Sequence, residues 1–198
     1  MKKKELVYRQ MLYWAMQKKA GKFTQLELSK SLRISLSTVN NALSPLEKMG
    51  AIDVGKMGFK ILDAKKILLY FASIRNLQKD VIYSTRANMP VSQIEKSMPA
   101  GAIYTAYSAC KYLFSSVPAD YSEVYVYADE AALAKIRRRF TQNSQPPNLF
   151  VLRADAALPA ISKTNIAPLP QIYADLWNLR QWYAKEFVKY LEGKFPWQ

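Results

Sequence analysis

The sequence predicts an α+β chain of two small domains, and three observations predict it. The first third alternates short amphipathic helical patterns with one Gly-bounded pair of β-prone runs. The rest alternates strand-like and helix-like segments. The positive charge is concentrated at the front: residues 1–66 hold 14 Lys and Arg against 5 Asp and Glu, a net +9, whereas residues 67–198 hold 15 against 10, a net +5.

Residues 5–19 carry apolar Leu6, Met11, Leu12, Ala15 and Met16 near helical spacing. The pattern ends at Ala20-Gly21, where glycine can take the left-handed conformation that stops a helix. Thr24-Gln25-Leu26-Glu27 is a capping box, in which the Thr hydroxyl and the Glu carboxylate each satisfy a free amide of the first turn. It opens a second helix to about Leu32, with Leu26, Leu28 and Leu32 as its apolar contacts. After Arg33-Ile34, Ser35 caps a third helix. Its inner face is Val39, Leu43 and Leu46, leaving Ser37, Thr38, Asn40, Asn41 and Ser44 largely outside. Pro45 is a misfit, because it removes a hydrogen bond and crowds the preceding turn, so the helix either kinks there or gives way to a separate turn. Gly50 ends this helix, and residues 51–54 and 59–62 flank the tip Gly55-Lys56-Met57-Gly58 as a hairpin. Helix, helix, turn, helix and hairpin make a winged helix-turn-helix, assigned to residues 1–66 as a DNA-binding domain.

Residues 67–198 form the second domain, a small α/β unit for an effector or dimerisation role. A helix over 63–76, with Ile67, Leu68, Phe71 and Ile74 on one face, is expected to bridge the halves. A strand at 81–85, a short helix at 92–98 and a strand tip running into a helix at 102–114 follow. Val124-Tyr125-Val126-Tyr127 is the clearest strand. Asp129-Glu130 opens a helix to Phe140, residues 149–152 form another strand after Pro146-Pro147-Asn148, and one closing helix spans 171–191 before Gly193.

With 198 residues, no His and a single Cys110, the chain cannot form an internal disulfide, a His-bearing zinc site or a Ser-His or Cys-His nucleophile. Cys110 lies among small and apolar residues and is expected to be buried and inert. No apolar run approaches the roughly 18 residues of a membrane span, and residues 1–16 lack a signal peptide's apolar stretch, so the expectation is a cytoplasmic protein without a membrane partner. No cofactor and no metal are expected. Asp129-Glu130 are explained by helix capping, and Asp155 and Asp175 stand alone in the sequence.

A net charge of +14, from 29 basic against 15 acidic residues, raises the local concentration of polyanions, and double-stranded DNA is the leading partner. A third helix lying in the major groove would present Ser37, Thr38, Asn40 and Asn41 to base edges, since Asn, Ser and Thr offer both donor and acceptor and Asn can pair two-point with adenine. Lys30 and Arg33 near the turn, Lys56 and Lys60 on the wing, and Lys2 to Lys4 at the terminus would neutralise phosphates. Winged helices also serve protein–protein contacts, but the concentrated charge favours DNA. Arg137-Arg138-Arg139 is a basic run of the kind that is usually a solvated face. Tyr104, Tyr107, Tyr112, Tyr125 and Tyr127 favour core or interface packing over base stacking. A palindromic site read by such a domain would suit a homodimer.

The helix-turn-helix, the wing, Gly101-Ala102-Ile103-Tyr104-Thr105-Ala106-Tyr107-Ser108-Ala109, the strand 124–127 and Gln171-Ile172-Tyr173-Ala174-Asp175-Leu176-Trp177-Asn178-Leu179 together resemble archaeal winged-helix regulators related to the AbiEi antitoxins of type IV toxin–antitoxin systems. The resemblance covers nearly the whole chain. It implies a second domain with a degenerate nucleotidyltransferase fold, repression of the protein's own promoter, and a cognate toxin as a possible partner. Active nucleotidyltransferases carry a Gly-Ser turn and a strand with two alternating carboxylates that bridge metal ions. Here no Gly-Ser pair follows Gly101, and Tyr125 and Tyr127 occupy the strand. The expectation is therefore a regulator rather than an enzyme. The alternative is a divergent nucleotidyltransferase-like enzyme that uses the winged helix to hold nucleic acid.

Overall fold

The structure is a computed structural model that describes residues 1–18 and 23–196. It separates into two compact units, one of Met1–Arg75 with the chain end from Phe195, the other of Asn76–Lys194.

The first unit contains α1 (Lys3–Lys18), α2 (Gln25–Leu32), α3 (Leu36–Lys48), β1 (Ile52–Gly55), β2 (Gly58–Ile61) and α4 (Ala64–Ile74). The expected stop at Ala20-Gly21 lies outside the described residues. The core face of α1 is rotated from the expected one: Val7, Tyr8, Met11 and Leu12 are fully buried, while Leu6, Ala15 and Met16 are half-buried. In α2 the capping box closes as expected, with the Glu27 amide donating to Thr24 Oγ1 at 3.1 Å and the Thr24 amide to Glu27 Oε2 at 3.0 Å. Leu28 and Leu32 are buried four residues apart, whereas Leu26 is 54% exposed.

Pro45 neither breaks α3 nor starts a separate turn. Its carbonyl accepts from the Met49 amide at 3.1 Å, so the ladder runs through it. The hydrogen bond that proline cannot donate would have gone to the Asn41 carbonyl, and Asn41 is exposed, so water can take its place. Gly50, at φ 68°, closes the helix. Its amide donates to the Glu47 carbonyl at 2.9 Å and that of Ala51 to Leu46 at 2.8 Å.

β1 and β2 pair antiparallel, Ile52 opposite Ile61 and Gly55 opposite Gly58, which leaves Lys56-Met57 as a two-residue tip. Phe23, ahead of α2, adds to the edge of this hairpin. Its amide donates to the Phe59 carbonyl at 2.9 Å, and its carbonyl accepts from the Phe59 amide at 2.7 Å.

Asp63 caps α4 by accepting from the Lys66 amide at 2.8 Å. Ile67, Leu68, Phe71 and Ala72 are buried against the rest of the first unit, chiefly α1, and Ile74 is half-buried. A buried ion pair of Arg75 with Glu5, at 3.3 Å, ties the end of α4 to the start of α1. This corrects the expected boundary after residue 66: the helix read as a bridge belongs to the first unit, which ends at Arg75.

The second unit contains β3 (Val81–Thr85), α5 (Val91–Lys96), β4 (Ile103–Thr105), α6 (Ala106–Phe114), β5 (Val124–Ala128), α7 (Glu130–Arg139), β6 (Leu149–Arg153), α8 (Leu158–Ile161), α9 (Leu169–Trp177) and α10 (Ala184–Glu192). Its sheet has the order β3-β6-β5-β4, with β5 and β6 parallel and the two outer pairs antiparallel. A parallel pair needs a crossover, which α7 supplies. All five residues of β5 are buried. Val124, Val126 and Ala128 pack in a cluster with Ala132, Leu133 and Ile136 of α7. Tyr125 and Tyr127 take the opposite face, where α6 and α9 lie. At the α7 start, Asp129 caps by accepting from the Ala132 amide at 2.8 Å.

The single closing helix expected over 171–191 is two helices. The Asn178 amide donates to the Asp175 carbonyl at 3.1 Å, and its side-chain Nδ2 donates to the Ala174 carbonyl at 2.9 Å. These bonds stop α9, and α10 restarts at Ala184 to lay Ala184, Phe187 and Leu191 back into the core. The one-turn α8 was not anticipated.

Candidate nucleic-acid interface

At about 100° per residue, Leu36, Ser37, Asn40, Asn41, Ser44, Glu47 and Lys48 of α3 occupy one sector of about 140°, opposite the buried Val39, Ala42, Leu43 and Leu46. Ser37, Asn40 and Asn41 are exposed there and Ser44 is half-buried. Thr38 departs from the expected set. It falls outside the sector, is half-buried, and its hydroxyl is engaged with that of Ser35 at 2.8 Å. The Ser35 hydroxyl caps α3 by accepting from the Thr38 amide at 3.2 Å and also contacts the Ser37 hydroxyl at 3.0 Å. The result is a cluster of three hydroxyls at the positive end of the helix dipole, a setting that favours an anion. Leu36, 45% exposed at the head of the same face, was missed in the sequence. An apolar side chain there is suited to the thymine methyl group. Its signal was present, since a leucine directly after a helix cap falls outside the inner-face spacing of Val39, Leu43 and Leu46.

The turn that presents α3 is a left-handed cap built on an arginine. Arg33 has φ 52°, its amide donates to the Lys30 carbonyl at 3.3 Å, and the Ile34 amide donates to Ser29 at 3.1 Å. A non-glycine residue at this φ costs about 1 kcal/mol. The same turn leaves the Arg33 and Lys30 side chains exposed.

On the wing, Lys56 stands at the exposed tip beside Met57, which is 79% exposed. Lys60 is exposed too, but Asp53 is its direct partner across the hairpin, on the solvent face. That carboxylate offsets part of the Lys60 charge, so Lys56 is the less compensated cation of the two. At the terminus, Lys2 and Lys3 are exposed and Lys4 is half-buried. Arg9 belongs to the same basic third but is fully buried, with a guanidinium nitrogen 3.5 Å from Met1 Sδ, so it presents nothing to a polyanion.

The remaining candidates lie in the second unit. Arg137, Arg138 and Arg139 are exposed on α7. Arg137 lies 5.4 Å from the Tyr83 ring centroid and Arg139 donates to the Ser97 carbonyl, so two of the three are engaged within the unit. Tyr107, Tyr125 and Tyr127 are buried, and Tyr107 packs on Tyr121, Tyr183 and Phe187 with centroids 5.4, 5.2 and 4.9 Å away. Burial pushes the Tyr107 and Tyr125 phenols up, which keeps them neutral. Cys110 is fully buried, and burial pushes its thiol up to about 12.

Asp175 does not stand alone. Its carboxylate accepts from Thr105 Oγ1 at 2.7 Å, Tyr127 OH at 2.8 Å and Gln171 Nε2 at 2.9 Å, and Gln171 also donates to the Tyr127 oxygen at 2.9 Å. All four side chains are buried, so this cluster fastens α9 to β4 and β5. No group of three or more acidic or Cys side chains suited to a metal ion occurs among the described residues.

A helix pair joined by a capped turn, followed by a two-stranded wing, defines the first unit as a winged helix-turn-helix. Residues 8–53 match the family model of winged helix-turn-helix DNA-binding domains, a span that runs from α1 into β1 and contains the whole presented face of α3. The chain therefore carries a winged helix-turn-helix DNA-binding domain. No curated protein and no solved structure matches the chain. Among the described residues, no helix is long and apolar enough to cross a membrane.

Proposed function

We propose that the protein is a sequence-specific transcriptional regulator, an autoregulating repressor of the antitoxin type, whose second unit is non-catalytic and serves dimerisation or the holding of a cognate toxin. The observation that carries the reading is the solvent-facing sector of α3. Asn40, Asn41 and Ser37 offer paired donors and acceptors there, and Lys30, Arg33 and Lys56 are exposed on the turn and the wing. Amide side chains read base edges and cations fix register on phosphates, so the two sets have separable effects.

The non-catalytic reading of the second unit draws support from how its carboxylates are used. Asp129 caps α7, Asp175 is occupied by three donors, and tyrosines stand on the central strand β5. The resemblance to antitoxins supplies the partner class and the expectation of a nucleotidyltransferase-like fold that has lost its chemistry.

The test uses a DNA site selected from a random pool. Asn40→Ala with Asn41→Ala is expected to lower affinity for the selected site by about 1–3 kcal/mol per lost two-point contact while leaving scrambled DNA bound as before. Lys30→Ala with Lys56→Ala is expected to weaken both and to flatten the slope of log affinity against log salt by about 0.9 per contact removed. Unchanged binding of the selected site by the asparagine variant would remove α3 as the reading face.

A further inference from the structure

We propose that the groove between α9 and α10 is a binding site for a small amphipathic organic anion, an aromatic or aliphatic body carrying one carboxylate. The groove encloses about 360 Å³, within the range of roughly 300–1,000 Å³ typical of small-ligand sites. Its lining is largely apolar, with Leu176 and Ala184 buried, Leu179 and Val188 half-buried, and the indole of Trp177 exposed. Trp177 is 46% exposed although its ring stacks on Tyr173 at 5.9 Å, so a large flat apolar surface is fixed in place and left open. A preorganised aromatic wall of this kind binds a planar or methylene-rich body without having to order itself first.

The rim supplies the charge. Lys185 and Lys189 sit one turn apart on α10, both exposed and both lining the groove. Neither has a hydrogen-bond or ion-pair partner in the second unit. The acidic residue at the site, Glu192, is one step further along the helix and accepts from the Tyr173 hydroxyl at 2.8 Å. Two unpaired ammonium groups over a largely apolar lining complement a ligand with one anionic end. With two lysines against the one carboxylate of Glu192, which already accepts from Tyr173, the lining charge favours an anion over a cation.

The site is independent of the DNA-reading face, so it is tested on the full chain without DNA. Isothermal titration is run with indole-3-propionate and with its neutral amide. The carboxylate is expected to bind with a sub-millimolar Kd, at least about fivefold tighter than the amide. Lys185→Gln with Lys189→Gln is expected to remove that preference while leaving the affinity for the amide unchanged, and Val188→Trp to abolish binding of both by filling the groove. The lysine variant alters only exposed side chains and keeps the test decisive if the tryptophan variant fails to fold. Absence of heat with either probe up to a few millimolar, or equal affinities that ignore the lysines, would overturn the proposal.

Discussion

A methyl group added at Gly58 would stand 2.2 Å from the carbonyl oxygen of Phe23, because the backbone of the wing passes directly against the residue that precedes α2. The same two stretches exchange backbone hydrogen bonds between Phe23 and Phe59, and the rings of these residues pack at 5.8 Å. Gly58 also holds φ 135°, a conformation that L side chains rarely adopt. The wing is thus held against the segment that starts α2 by a contact that admits no side chain. Gly58→Ala is expected to cost at least about 3 kcal/mol in denaturant unfolding, from strain and a backbone clash together. Gly55→Ala, whose Cβ would meet its nearest neighbour at 3.9 Å, is expected to cost less than about 1 kcal/mol. Equal losses at the two glycines would contradict the close approach.

Arg33 separates stability from binding. Its left-handed backbone at φ 52° suits glycine better than arginine. Arg33→Gly is expected to leave stability unchanged or raise it by up to about 1 kcal/mol, the relief of strain being partly offset by glycine's greater freedom in the unfolded chain. The same change is expected to weaken DNA binding, by loss of a phosphate-reaching cation. Thermal melts and anisotropy titrations on one sample read both effects.

In the second unit, Tyr127→Phe removes one donor to Asp175 and is expected to destabilise by about 1–2 kcal/mol. Asp175→Asn is expected to cost more, about 2–4 kcal/mol, because its amide nitrogen brings further hydrogens to a position that three donors already face. Chemical denaturation of both variants checks the order.

Much of the first unit was legible because its signals are local. A capping box at Thr24, a serine cap at Ser35, a stop at Gly50 and two glycines around the wing tip each act within a few residues of themselves. What escaped the sequence depends on distant partners. Asp175 looks solitary because its donors lie 4, 48 and 70 residues away. The break between α9 and α10 carries no glycine or proline, and is set by Asn178 turning back on Ala174 and by α10 folding its apolar stripe onto the core. The domain boundary was misplaced because a helix's own pattern says which face is apolar but not which unit covers it. In the candidate site, polar and basic residues were readable by type and spacing. The inward drift of Thr38 and the Asp53 opposite Lys60 follow from cap geometry and strand register.

Cys110 gives a pH-dependent check on the second core. With its thiol pushed up to about 12, the native thiolate fraction at pH 8 is of order 10⁻⁴. Iodoacetamide is expected to label it only after denaturation. The linkage has a definite sign: the unfolded thiol, ordinarily near 9.0, ionises first, so unfolding releases a proton above that pH. The contribution of this group to stability is complete below about pH 9 and declines as pH rises toward 12. Rapid labelling of the native protein at pH 8 would contradict its burial.

The central claim is that the exposed face of α3 reads sequence rather than charge alone. It is tested most directly by a fluorescence-anisotropy titration of DNA from the protein's own promoter against a scrambled duplex, repeated across salt concentrations. The predicted result is promoter binding at least about a thousandfold tighter than scrambled DNA, with the excess persisting as salt rises. Equal affinities for both duplexes, falling together with salt, would contradict it and leave the basic unit as an electrostatic anchor.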